Sequence, residues 1–301
     1  MSVLFDSFDE WRTYCEYHKV DIWQPVVGYE IDQRGRSEGE IWDKLAQSYA
    51  VMKDAVHTGL SEDMQSISGM INNGAKKVAA CEINVLGENF KKLVAYTLAA
   101  KEVNSCMGRV VAAPTAGASG IMPGVLTTLQ EIHDLPRQKI LEGMLVSAGI
   151  ALIIERRASI AGAVGGCQAE TGTAAAMGAG AIVHCLGGNL DQVFEAVAIT
   201  IMNMLGLICD PVAGLVEVPC VKRNASAGVI AFASAQIALA GDSAVIPVDE
   251  VIDAMGEVGA SMEDKYKETA LGGIANTPTA REIEKNVLVQ QVESIEEENE
   301  A

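Results

Sequence analysis

Several things are scarce in this 301-residue chain. Aromatic residues make up 5%, histidines number four, and bases are outnumbered by acids 22 to 40. The resulting formal charge of −18 excludes nucleic acid and an anionic membrane surface as partners, because phosphate binding needs clustered Lys and Arg. Long apolar runs are missing. The longest are 143–154 and 225–241, and Ser226, Ser234 and Gln236 interrupt the second. Both fall short of the ~20 apolar residues that span a bilayer, so both are expected as buried core helices. The N-terminus shows no basic segment followed by an apolar run, so no secretory signal is read there and a cytosolic location is expected. The seven cysteines include no C-x₂-C pair, which excludes zinc-finger and ferredoxin spacing. No glycine cluster fits a nucleotide motif. Residues 115–120 lack the lysine of a P-loop, and Val183 stands at the third fingerprint position after Gly178 and Gly180.

What is present is a chain with 49% hydrophobic residues, enough for a core without disulfide staples. Charge and aromatics are unevenly spread. Residues 1–63 carry net −7 and residues 282–301 net −6, which leaves −5 for the long middle. Nine of the 14 aromatics lie in residues 1–49. The interior is therefore nearly neutral and rich in Ala and Gly.

Residues 1–35 read as an irregular aromatic, acidic arm. Ser37 and Glu40 form a capping box. Ile41, Leu45, Tyr49, Met52 and Val56 then mark one helix face, with Gly59 as the stop. Further helices are expected over 90–106, from 123, and near 137–157, 170–187, 191–208, 224–240 and 248–269. Residues 109–114 look β-like. The expectation is an all-α, single domain over 36–281 with Gly-rich turns. A solvated acidic tail over 282–301 starts as a helix.

Three cysteines fall at expected helix ends. Cys167 precedes a helix, Cys209 is followed by Asp210-Pro211, and Cys220 follows Pro219. A helix N-terminus favours the thiolate, the form that binds metal. Thiolates are soft ligands suited to zinc, Cu(I) or iron–sulfur, and three of them leave one iron of a four-iron cluster uncapped. Spacing alone leaves open whether these cysteines are ligands or small buried apolar residues. Cys81, Cys106 and Cys185 are expected as buried apolar residues, and Cys15 as surface or arm packing. The turn Thr115-Ala116-Gly117-Ala118-Ser119-Gly120 delivers backbone N–H groups to a helix N-terminus. It suits either a small anion such as a carboxylate or tight packing of Ala/Gly helices.

Four segments carry a resemblance. They are 108–120 (GRVVAAPTAGASG), 158–172 (ASIAGAVGGCQAETG), 205–224 (LGLICDPVAGLVEVPCVKRN) and 265–275 (KYKETALGGIA). With them the chain resembles the α subunit of iron–sulfur-dependent bacterial L-serine dehydratases. The resemblance implies an all-α catalytic domain that turns L-serine into pyruvate and ammonia. It implies that Cys167, Cys209 and Cys220 ligate a 4Fe–4S cluster acting as Lewis acid. Single-chain relatives end in a cysteine able to cap the fourth iron, and none follows Cys220 here, so solvent or substrate is expected there or the position is empty. No Ser-Ser-Ser-His-Thr-like segment occurs, which implies a separate β subunit, with the arm as a candidate docking element. Within that reading Thr115, Ala116, Gly117, Ser119 and Gly120 hold the substrate carboxylate, Arg223 pairs with it and Asn224 orients it. Glu170 or Lys265 is the proton acceptor. Structural roles compete. Arg223 caps a helix or balances cluster charge, Glu170 matches a helix N-terminus, and Lys265 is a surface ion-pair partner. A related lyase acting on threonine or cysteine, and a non-catalytic metal-binding protein, are the alternatives.

Overall fold

The computed structural model describes the backbone of residues 5–85 and 87–300, with side chains as far as residue 289. Among the described residues there are thirteen α-helices, and the only β pairing is two isolated bridges, Gln65 with Asn72 and Cys209 with Lys267. The all-α expectation holds. No described helix is long and apolar enough to cross a membrane.

The arm is not irregular. It contains α1 (Phe8–His18) and α2 (Gln24–Arg34). Ser7 caps α1 by accepting the Glu10 N–H at 3.1 Å, and Pro25 sits in the first turn of α2, where its missing N–H costs nothing. Phe8, Trp11 and Cys15 recur at helical spacing and point inward. The rings of Phe8 and Trp11 lie 4.8 and 6.0 Å from that of Phe194. The buried indole N–H of Trp11 donates to the Ile22 carbonyl at 3.0 Å. These aromatics belong to the chain's own core, and Tyr17 is the strongly exposed one.

Helix α3 (Glu38–Ser61) starts with the expected capping box. Gly59 does not stop it. That glycine is buried in the last turn, and a Cβ there would fall 2.3 Å from the Ala99 carbonyl oxygen, so its absence lets α3 touch its neighbour. α4 (Gly74–Ala80) and α5 (Glu88–Ser105) follow. Residues 109–114 form no strand. The chain continues through α6 (Ile121–His133), α7 (Arg137–Arg157), the single turn α8 (Gly162–Gly165), α9 (Thr173–Cys185), α10 (Leu190–Met202), α11 (Cys220–Leu239), α12 (Val248–Ser261) and α13 (Pro278–Glu300).

Every residue of α9 is buried. Its sequence, TAAAMGAGAIVHC, presents mostly Ala and Gly, so α6, α7, α10 and α11 close in on it. Around it Val125, Leu145, Ile150 and Val197 are buried, each stabilising the fold by about 1.5–3 kcal/mol. The aromatic-poor interior is thus a helix axis crowded by small side chains.

Three helices are shorter than their patterns. The one expected over 191–208 ends at Met202, that over 248–269 ends at Ser261, and a π-helical turn, Gln168–Gly172, precedes α9. Glu268 lies in the stretch released after Ser261, Cys209 just beyond the stretch released after Met202, and Cys167 just before the π-helical turn. The backbone of α13 is helical to Glu300, and the side chains of the acidic end lie outside the described residues.

Candidate active site

Each of the three cysteines is fixed by a different device. Cys167 follows Gly166, whose φ of +74° turns the chain, and it opens the π-helical turn. Single π turns are common at functional sites. Gln168 locks this turn in place. Its N–H donates to the Leu207 carbonyl at 2.9 Å, its side-chain amide donates to the Met255 carbonyl at 2.9 Å, and its oxygen accepts the Gly206 N–H at 2.9 Å. Cys209 lies in the unwound segment after α10. Its N–H donates to the Tyr266 carbonyl at 2.8 Å, and its carbonyl accepts the Glu268 N–H at 2.9 Å. Cys220 is the first residue of α11, at that helix's N-terminus.

All three are free and buried. Burial pushes each thiol's pKa up, that of Cys220 to about 12. Cys209 feels the charges of Cys167 and Cys220, and Cys220 feels that of Cys167, so each resists ionising beside the others. Three adjacent buried thiols of this kind ionise together around a cationic centre, the chemistry of a thiolate metal site. The Arg223 guanidinium offsets the effect at Cys167 and Cys220, and Lys101 does so at Cys220. Three soft donors of this kind suit an iron–sulfur group, whose several irons take separate thiolates.

Beside the thiols runs the turn 115–120. Lys101, fully buried on α5, donates from its ammonium to the Ala116 carbonyl at 3.0 Å and to the side-chain oxygen of Asn104. Burial brings its pKa down to about 8. Asn224 on α11 accepts the Gly120 N–H at 3.0 Å and donates to the carbonyls of Gly117 and Cys220, each at 2.9 Å. The Ala116 and Gly117 carbonyls are thereby occupied. The N–H groups of Ala116, Gly117 and Ala118 donate to no described group. The hydroxyl of Ser119, fully buried, also has no partner. Unmet donors leading into α6 suit an anion better than close packing alone does.

Glu170 completes the centre. A Cβ on Gly162 would fall 2.8 Å from its carboxylate, and one on Gly117 3.1 Å, so two glycines make its room. Burial raises its pKa, and the nearby Glu268 carboxylate adds to the rise. Side-chain atoms of Glu170, Cys209 and Glu268 lie within 4.8 Å of one another. The Thr115 hydroxyl, also without a hydrogen bond of good geometry, lies beside Glu170.

Residues 17–275 match the family model described as serine dehydratase alpha chain. The chain belongs to this family. The alpha chain of L-serine dehydratase from Peptoniphilus asaccharolyticus is 43% identical to it over 277 residues, covering 91% of this chain and 95% of the relative. A probable L-serine dehydratase alpha chain from Bacillus subtilis is 42% identical over 265 residues, 87% of this chain and 88% of the relative. An L-serine dehydratase of Escherichia coli is 36% identical over 281 residues, 90% of this chain but 61% of that longer protein. This serine dehydratase alpha chain is a lyase.

The alpha chain places the sequence-derived site residues unequally. Cys167, Cys209, Cys220, Glu170 and the turn 115–120 come together. Arg223 reaches the same region, but its guanidinium donates to Asp210 at 2.7 Å and to the Ile208 carbonyl at 2.9 Å. Both amide ends of Asn224 hold the turn itself. Lys265 is half-exposed, pairs with Glu263 at 2.7 Å and lies 4.9 Å over the Tyr266 ring. Of the other cysteines, Cys185 and Cys15 are buried, Cys106 is half-buried and Cys81 is exposed. Three residues of the site escaped the sequence reading. Lys101 had a signal, a lone base among Leu98, Ala99, Ala100 and Val103 on a buried helix. Glu268 stands in the segment that drew attention to Lys265 instead. Asp210, which takes Arg223 and the Ile274 N–H at 2.6 Å, was read only as a helix end.

Proposed function

We propose that this alpha chain is the catalytic subunit of an L-serine dehydratase that converts L-serine to pyruvate and ammonia. Cys167, Cys209 and Cys220 hold a 4Fe–4S cluster in this reading. The observation that supports it most directly is the meeting of three buried thiols from three separate elements with a turn of unmet N–H donors. The cluster, when bound, supplies a Lewis acid for the departing hydroxyl. The chain's residues supply binding and proton transfer. N–H groups of Ala116, Gly117 and Ala118, with the Ser119 hydroxyl, receive the substrate carboxylate. Lys101 and Asn224 hold that turn in its receiving shape, with Thr115 and Gly120 at its ends. Arg223 acts through Asp210 to fix Cys209 and balances thiolate charge. Glu170 is the proton acceptor that this chain offers beside the thiols, whereas Lys265 is turned to its surface partner. Serine loses its Cα proton and hydroxide. The aminoacrylate that remains tautomerises to an imine, which water splits into pyruvate and ammonia.

The partner is a separate β subunit, and the setting is the cytoplasm. Anaerobic co-purification with that subunit, iron and sulfide analysis, and a pyruvate assay test the proposal. Iron and sulfide in near-equal amounts, with serine-dependent pyruvate formation that air abolishes, are expected. A colourless protein active on serine overturns the cluster assignment. Faster ammonia release from threonine or cysteine than from serine replaces the substrate.

A further inference from the structure

A site for serine has three tasks within one small volume. It must hold a carboxylate, hold an ammonium and reach the hydrogen between them. The turn 115–120 serves the first and Glu170 the third. The second needs an anion close to Glu170, because the ammonium nitrogen and Cα are one bond of about 1.5 Å apart. Glu268 meets that requirement. Its carboxylate lies within 4.8 Å of that of Glu170. It joins no described ion pair or side-chain hydrogen bond. It is exposed, hence open to an incoming molecule.

The backbone beneath Glu268 is held under strain. Glu268 and Ala270 adopt φ of +64° and +56°, a region that non-glycine residues rarely occupy. The Glu268 N–H is tied to the Cys209 carbonyl at 2.9 Å, and the Ala270 carbonyl accepts from Arg281 at 3.0 Å. These ties hold the side chain beside Cys209 and Glu170. Its neighbours Lys265 and Tyr266 face each other, and Lys265 pairs with Glu263 instead of Glu268.

We infer that Glu268 is the anchor for the substrate's ammonium group and makes the site selective for small zwitterionic α-amino acids over the matching hydroxy acids. The inference rests on the serine dehydratase reading for the identity of the site. The carboxylate turn and the fully buried, unpartnered Ser119 hydroxyl supply the opposite pole. A neutral hydroxyl in place of the ammonium leaves Glu268 unmatched. One charge-assisted hydrogen bond lost corresponds to a weakening of about tenfold or more.

The test uses the anaerobic complex with its β subunit, wild type against Glu268→Gln and Glu268→Asp. Calorimetry follows L-alanine and L-lactate, an unreactive pair differing in ammonium against hydroxyl. Turnover of L-serine and iron content are measured on the same samples. Wild type is expected to prefer L-alanine by about tenfold, Glu268→Gln to lose the preference, and Glu268→Asp to keep part of it. The KM for L-serine rises about tenfold in Glu268→Gln, with kcat changed less and iron content unchanged. Equal binding of the two probes by wild type, or a preference that survives Glu268→Gln, overturns the inference. Iron loss in step with activity at constant KM also overturns it, since Glu268 then acts on the metal centre. Failure of wild type to turn over serine, with an intact Glu268-dependent preference, defeats the reaction assignment and leaves the anchor standing.

Discussion

The helices around α9 and the segments that carry the cysteines are built by different physics. In the bundle, position follows from burial. Small residues on α9 meet larger apolar side chains on four neighbours, and the backbone hydrogen bonds are satisfied within each helix. Around the thiols the backbone is irregular, so its polar groups need specific partners. Gln168, Asn224, Lys101 and Asp210 are buried polar side chains that supply them. The bundle tolerates exchange of one apolar side chain for another of similar volume. The site does not, because each of its holding groups serves two or three donors or acceptors at once. Stability therefore resides mainly in the first region and, in the proposed reading, function in the second, and substitutions should separate the two.

The largest effect is expected at a thiol. Cys209→Ser should lower serine turnover by about a thousandfold or more, through loss of iron. The far-UV dichroism should change little, since Cys209 lies outside every helix. Iron analysis, pyruvate formation and dichroism on one anaerobic preparation check this. Full iron content with normal turnover would remove Cys209 from the site.

The converse substitution lies in the arm. Trp11→Ala removes a fully buried ring that packs against Gly149 and Phe194. It should destabilise the fold by about 3–5 kcal/mol, measured by denaturant titration. Iron per folded chain should stay unchanged. Loss of iron from chains that remain folded would show that the bundle and the site are coupled more tightly than their construction suggests.

Lys101 tests the boundary between the two regions, because it is rooted in a bundle helix and holds the site's turn. Lys101→Met keeps much of the buried volume but frees the Ala116 carbonyl. Turnover at low serine should fall by about a hundredfold. The loss should lie mainly in KM, because the receiving N–H groups are no longer held in place. Unchanged KM with lower kcat would make Lys101 an electrostatic partner of the thiols instead of a positioning residue.

How much could be read beforehand divides along the same line. The capping box at Ser37, the helix face from Ile41 to Val56 and the all-α architecture follow from pattern and spacing, whereas the three thiols stand out only through the resemblance to a family. Gly59 was misread because a glycine needed for close approach looks the same in sequence as one that ends a helix. The arm's helices were missed although Phe8, Trp11 and Cys15 carry the spacing. Apolar periodicity also ran past the true ends at Met202 and Ser261. It reports which face is buried, not where polar groups such as Gln168 capture the backbone and unwind it. Lys101 shows locally only as a lone base on an apolar helix face, and the role of Glu268 depends on contacts between residues far apart in sequence, which no local pattern encodes.

The smallest effect is expected at Lys265, and it discriminates between two residues of one segment. Lys265, half-exposed, and Glu268, exposed, are three positions apart, and both lie within the stretch shared with the family. Lys265 already has an anion in Glu263, at 2.7 Å, and a ring beneath it. An exposed pair of this kind contributes little, so Lys265→Ala should leave kcat and KM within about twofold of wild type. The Glu263 partner holds the Lys265 pKa up, so the ammonium stays charged through neutral pH. A proton acceptor must be neutral before it acts, and this environment works against that state. A tenfold loss of kcat in Lys265→Ala, with KM and iron content constant, would return Lys265 to the chemistry. It would also mean that the 264–270 segment rearranges when substrate or the β subunit binds.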